Sequence, residues 1–267
     1  MKIDILTIFP EMFSALEASI VQRAVESGLL ELRVTDIRPF SKSKHKNTDD
    51  YPFGGGAGML MTPQPIADAI RAVAPDPYPG KRVYMSPRGV PLTQELAHSL
   101  SGEPSLMILC GHYEGVDERV IERFIDMEIS IGDYVLTGGE LPAMVLVDCV
   151  TRLLEGALGG ADSHDEESFS DEPLLEYPQY TRPRDFEGML APEVLLGGNH
   201  AEIAQWRRRQ RLLATLKRRP DLLALAKLTA QERAWLESLA DSPADQAPSD
   251  SICKRTDRNS LHARIDG

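Results

Sequence analysis

The chain has 267 residues, 42% of them apolar, a formal charge of −12 and three widely spaced cysteines. That apolar content suffices for one large or two modest domains with ordinary cores. It leaves no disulfide framework, no zinc site built from Cys and the scattered His, and no apolar run near the roughly 18 residues of a membrane span.

Taken in chain order, apolar runs with strand character lie at Ile3 to Phe9, Leu29 to Ile37, Arg82 to Met85, Leu106 to Cys110 and Glu128 to Ile131. Between them, helical spacing covers Phe13 to Ser27, closed by Gly28 as a C-cap, then Pro65 to Val73 and Thr93 to Leu100, with Thr93 as N-cap. Ala143 to Leu154 is a further helix. Strands alternating with helices predict an α/β domain, a mostly parallel sheet with helices on both faces. The opening Met1 to Phe13 carries no secretory leader, so the protein reads as cytoplasmic.

After Leu158 the character changes to small, polar and acidic residues without periodicity, which predicts a flexible acidic linker over 159–175. From about Met189 onward there is no strand signal. Helical patterns run through His200 to Lys217, Pro220 to Lys227 and Ala230 to Leu239, with Thr229 to Glu232 spaced as a capping box. The predicted organisation is 1–158, linker 159–175, a small all-α domain 176–241, and a disordered tail 242–267.

Charge is segregated along the chain. Gln205 to Arg219 carries seven basic residues and no acid, while Asp162 to Glu176 carries seven acids and no Lys or Arg. The basic run reads equally as a solvated helix face or a polyanion-binding surface.

Three glycine-bearing segments carry the candidate chemistry: Tyr51 to Met59, Cys110 to Asp117 and Ile131 to Pro142. The first lacks the Lys-Ser/Thr of a phosphate-binding P-loop. The second follows a predicted strand directly, and the third joins a strand end to a helix start. In α/β proteins, that is where small ligands sit. Main-chain groups there suit an adenine and ribose, with Glu114 and Asp133 placing negative charge nearby; Glu114 reads equally as a helix N-terminal acid.

The segments SPRG (Ser86 to Gly89), LCGHYEGVDER (Leu109 to Arg119), SIGDYVLTGGELPAM (Ser130 to Met144), YTRPRDFEG (Tyr180 to Gly188) and GNHAEIAQWRRRQ (Gly198 to Gln210), in this order, resemble the bacterial tRNA (guanine-37-N1)-methyltransferases of the SPOUT superfamily. The resemblance covers Met1 to about Leu239. It implies a trefoil-knotted α/β domain, an exception to the rule against knots, followed by a helical tRNA-binding domain. It also implies a homodimer with each active site shared between chains, and S-adenosylmethionine as methyl donor.

By carry-over, the cofactor residues are Tyr84, Ser86 and Pro87; Gly111, Tyr113, Glu114 and Gly115, with His112; and Ile131, Gly132, Asp133, Tyr134, Val135, Leu136, Gly138, Gly139 and Pro142. The reaction implied is methylation of N1 of the guanosine 3′ to the anticodon. N1 is protonated at neutral pH, so a base must take its proton and a cation must hold the charge developing on O6. The cation maps to Arg152 and the base to Glu167, with Asp165 and Asp171 as nearby substitutes. Glu167 departs from the family's aspartate and is longer by one methylene, which asks for a different linker path.

For the substrate, the resemblance implies contacts from Gly55, Gly56, Gly58 and Met59, in a loop where Phe53 and Ala57 stand for the family's Tyr and Pro. Arg207 and Arg208, with Arg209 and Arg211, map to phosphate contacts on the anticodon stem-loop, and Lys42, Lys44 and Lys46 are further candidates. The family's activity is helped by Mg²⁺, for which no protein site is identifiable. The competing readings are a SPOUT methyltransferase for another RNA nucleotide, a non-catalytic RNA-binding protein, and a nucleoside-triphosphate-binding protein using Gly54 to Gly58.

Overall fold

The computed structural model describes residues 1–158, 167–170 and 172–240. The remainder of the expected linker, with Asp165 and Asp171, and the expected tail 242–267 lie outside the described residues. The chain divides into two compact units, Met1–Asp171 with Leu175–Tyr180, and Glu172–Leu174 with Thr181–Gly267.

The first unit runs β1 (Lys2–Thr7), α1 (Ser19–Glu26), β2 (Glu31–Asp36), β3 (Asp49–Asp50), β4 (Leu60–Met61), α2 (Pro63–Val73), β5 (Lys81–Pro91), α3 (Gln94–Ser101), β6 (Ser105–Cys110), α4 (Glu118–Phe124), β7 (Met127–Ser130) and α5 (Glu140–Thr151). Five strands form one parallel sheet in the order β2-β1-β6-β5-β7. All five strands read from sequence are present in it. Because successive side chains alternate, Leu106, Ile108 and Cys110 of β6 enter one core, beneath α1, α3 and α5. Met107 and Leu109 enter the other, beneath α2 and α4. Every residue of β6 is buried, so from Leu106 its sequence is a continuous apolar run instead of an alternation. Truncating Leu106, Met107, Ile108 or Leu109 to Ala costs about 2–5 kcal/mol.

Several elements depart from the reading, each for a local reason. The single helix expected over Phe13 to Ser27 is a 3-10 segment, Pro10–Leu16, followed by α1. Ala18 is extended and Ser19 takes φ 56°, which interrupts the helical backbone. Helix α4 was not anticipated; Asp117 caps it by accepting the Arg119 N–H at 3.1 Å. Strand β5 runs past Met85 because the chain bulges out and re-pairs: both Met85 and Val90 lie opposite Ile129 of β7. Other local signals held. Gly28 closes α1, donating to Val25 O at 3.0 Å, and Thr93 caps α3, accepting from Leu96 N at 3.2 Å.

The second unit contains β8 (Asp185–Phe186), β9 (Met189–Leu190), α6 (His200–Arg218), α7 (Pro220–Leu223) and α8 (Ala230–Ala240). Its core gathers Leu174, Leu212 and Leu236, with Leu216 and Trp235 against them. The β8-β9 hairpin corrects the expectation of no strand from Met189 onward. Its two-residue turn, Glu187-Gly188, has φ of 56° and 85°, the double positive that a tight hairpin of this hand requires. Thr229 and Glu232 form the expected reciprocal cap of α8, at 2.7 and 3.2 Å.

Candidate active site

The strand order sets the site. Strands β6, β5 and β7 are neighbours, so the segments at their carboxyl ends converge. The β5 bulge brings Ser86, Pro87 and Arg88, the segment after β6 brings Gly111 to Val116, and the segment after β7 brings Ile131 to Gly139. Together they wall a cavity of about 480 Å³, within the usual range for small-ligand sites. The wall holds every expected cofactor residue except Asp133, which is exposed outside it.

Glycine is required where two of these loops touch. A Cβ on Gly139 would stand 2.9 Å from Cys110 Cα and 3.0 Å from Gly111 N, both main chain that cannot yield. The contact is sealed by Gly139 N–H donating to Gly111 O at 2.8 Å. The Tyr84 hydroxyl lies against Gly111; burial pushes its pKa up to about 12, so it stays a neutral donor at working pH. Tyr113 holds φ 60°, a conformation rarely adopted outside glycine and often kept at binding sites.

The glycine loop at 54–58 is joined to this wall. Glu114 N donates to Met59 O at 3.0 Å, Met61 N to Gly115 O at 2.9 Å and Asp117 N to Met61 O at 3.1 Å. Gly58, at φ 84°, lies so close to Glu114 that a Cβ would strike its carboxylate. Leu60 joins the cavity wall. Gly55, Gly56 and Phe53 stand exposed beyond it, Phe53 at 97%. Arg88, Glu118 and Thr137 also line the cavity. They lie inside the quoted motifs but were passed over because charged and hydroxyl residues beside glycines read as ordinary surface. Arg88 bonds Glu118 at 2.9 Å.

The expected catalytic pair is elsewhere. Arg152 follows α5 and its guanidinium meets Glu167 Oε1 at 2.6 Å, both side chains half-buried. The hydrogen bond to Glu167 raises the Arg152 pKa further. The cavity lies at the amino end of α5, where Gly139 and Pro142 form wall. The 12 residues of that helix put Arg152 about 18 Å further along its axis. Neither Arg152 nor Glu167 lines the cavity.

In the second unit the arginines of α6 are unequal. Arg208 bonds Glu172 at 2.9 Å and Glu232 at 2.7 Å, so the guanidinium expected at a phosphate is held by two carboxylates of its own unit. Arg211 is buried. Arg207 is half-buried, and exposed Arg209 lies over Trp235, 5.2 Å from the ring centroid. In the first unit, Lys42, Lys44 and Lys46 are exposed, although Lys46 Nζ donates to Ser41 O at 2.9 Å. Among the described residues, no group of three His, Cys, Asp or Glu is placed to hold a metal ion, and no helix is long and apolar enough to cross a membrane.

The cavity fits an adenosyl sulfonium compound. Its apolar and main-chain wall suits a purine and ribose, and Glu114 offers negative charge to a cation, whereas Glu118 is paired with Arg88. Comparison with known proteins adds a consistent finding. The family model described as tRNA (Guanine-1)-methyltransferase TrmD matches residues 1–225. A protein of Pelotomaculum thermopropionicum named tRNA (guanine-N(1)-)-methyltransferase is 56% identical over 245 residues, 91% of this chain and 97% of that protein. Proteins of the same name from Caldanaerobacter subterraneus (56% over 240 residues, 88% and 97% of the two chains) and Moorella thermoacetica (51% over 251 residues, 93% and 100%) are similar throughout.

Proposed function

This chain belongs to the tRNA (guanine-1)-methyltransferase family, and from that premise we propose that it methylates N1 of guanosine 37, the nucleotide 3′ to the anticodon, with S-adenosylmethionine as donor. That it is a tRNA guanine-N1 methyltransferase follows from the family; the position, the cofactor's seat and the residue roles are the proposal. The observation that carries it is the convergence of the three matching loops on one cavity at the carboxyl ends of β5, β6 and β7.

The bound donor supplies an electrophilic methyl group. The chain supplies the rest. Main chain of the three loops and the neutral Tyr84 hydroxyl would hold the adenosyl portion, and Glu114 would supply negative charge to the cationic part. Glu167 takes the N1 proton of guanine, and Arg152 stabilises the negative charge that develops on O6. Their ion pair keeps the Glu167 carboxylate oriented, and the incoming guanine exchanges for part of that contact. The exposed loop around Gly55, Gly56, Gly58 and Met59 takes the target nucleotide.

One chain does not bring these parts together, since α5 separates the cavity from Arg152. A homodimer in which the cavity of one copy meets Arg152 and Glu167 of the other resolves the separation. Apolar surface beside the cavity supports it: Val135 is 86% exposed, Leu141 49% and Val145 42%, the last two one turn apart on α5. The close approach of the loops at 111 and 139 supports the proposal that this part of the chain is threaded as a trefoil knot. Arg207 and Arg209 of α6, with Lys42, Lys44 and Lys46, take the anticodon stem-loop phosphates in the cytoplasm.

Methyl transfer to transcribed tRNA anticodon arms carrying guanine or adenine at position 37, followed by mapping of the modified base, tests the reading. N1-methylguanine at 37 alone is the expected product. A methylated nucleotide elsewhere would favour a different RNA target for the same fold.

A further inference from the structure

Behind the cavity wall lies a buried acid that the chemistry above leaves unused. Glu140, the first residue of α5, is 1% exposed. Its Oε1 accepts the Thr7 hydroxyl at 2.8 Å, and that hydroxyl oxygen accepts the Phe9 N–H at 2.9 Å. The Phe9 ring meets the His112 imidazole edge-on, centroids 4.8 Å apart. His112 lines the cavity, and its backbone pairs with Gly138.

His112 Nδ1 is buried and, among the described residues, has no hydrogen-bond partner. A Cβ on Gly138 would stand 2.7 Å from Nδ1 and would collide with Glu140 Oε2. Both polar atoms therefore border the space that a Cβ on Gly138 would fill, which places them within about 5 Å of one another. An unpartnered buried imidazole nitrogen and a buried carboxylate are both costly by themselves, and each supplies what the other lacks.

We propose that Glu140 is a positioning residue for the cofactor pocket. It holds the His112 Nδ1–H across the gap at Gly138 and the Thr7 hydroxyl on its other side. The end of β1, the loop after β6 and the loop before α5 become one wall. The inference rests on reading the cavity as the S-adenosylmethionine site.

Calorimetric titration with S-adenosylmethionine tests it, using wild type, Glu140→Ala, His112→Leu, His112→Asn and the Glu140→Ala/His112→Leu double variant. If wild type does not bind, the cofactor reading itself fails and the inference falls with it. Given wild-type binding, each of Glu140→Ala and His112→Leu raises the Kd about tenfold. The double variant is no worse than the more affected single, because both remove one shared interaction. His112→Asn keeps an N–H donor near the Nδ1 position and stays within about threefold of wild type. Additive losses in the double variant, or His112→Asn binding as weakly as His112→Leu, overturn the proposal while leaving the cofactor site in place. Should Glu140→Ala fail to fold, as read by circular dichroism, Glu140→Met, of similar length but with no acceptor oxygen, takes its place in the cycle under the same criteria.

Discussion

The two ends of helix α5 are built on opposite principles. At its amino end the cavity is made of main chain and glycines, sealed by contacts such as Gly139 to Gly111 at 2.8 Å, and its one buried phenol, Tyr84, is held neutral by a pKa of about 12. At its carboxyl end two side chains, Arg152 and Glu167, meet as an ion pair at 2.6 Å. A binding site gains from rigidity and close approach; proton transfer needs groups that can exchange partners. The separation of about 18 Å along the helix keeps the two requirements from competing, and the proposed homodimer would unite them.

If that division is right, variants at the two ends break different constants. Arg152→Ala and Glu167→Gln lower kcat by about 100-fold or more, while the S-adenosylmethionine Kd measured by calorimetry stays within about threefold. A rise in Kd comparable to the fall in kcat would place the pair at the cofactor instead. Gly139→Ala has the smaller, converse effect. Its Cβ meets main chain at 2.9 Å, so the Kd rises about tenfold, with kcat at saturating cofactor changed much less. Unchanged cofactor affinity would mean that the loop contact does not shape the pocket.

The smallest effect on activity lies in the helical unit, whose ion pairs serve stability. Glu232 has its pKa lowered to about 2, first by its hydrogen bond from Arg208. With a folded value below the unfolded one, its contribution is present above about pH 4.3 and lost as pH falls towards 2. Glu232→Gln should flatten the fall in thermal midpoint across that window, and Arg208→Ala should cost about 2 kcal/mol at neutral pH. An unaltered pH profile in Glu232→Gln would remove the pair from the stability account.

The same contrast explains what the sequence made legible. The five sheet strands carry their burial in composition, Leu106 to Cys110 most plainly, and the cavity loops carry their glycines in fixed motifs; both could be read without coordinates. Helix α4 was missed because only seven residues form it, too few for periodicity to register. The β5 bulge was hidden because a register shift against Ile129 leaves no compositional trace. The basic run on α6 misled in part: its seven cations are visible in sequence, but Glu172 and Glu232, which neutralise Arg208, lie far from it along the chain. The distance between the cavity and Arg152 is a property of helix geometry, evident only once α5 is placed between them.

The claim that one active site draws on two copies is tested most directly by mixing two defective chains. Arg152→Ala, with an intact cavity, is unfolded and refolded together with Gly139→Ala, with an intact Arg152, and assayed at a cofactor concentration below the raised Kd. Random pairing makes half the dimers mixed, each with one complete site, so about one quarter of wild-type methyl transfer should return. Activity no higher than the sum of the two variants assayed apart, with mixed dimers verified by mass, would contradict the shared site.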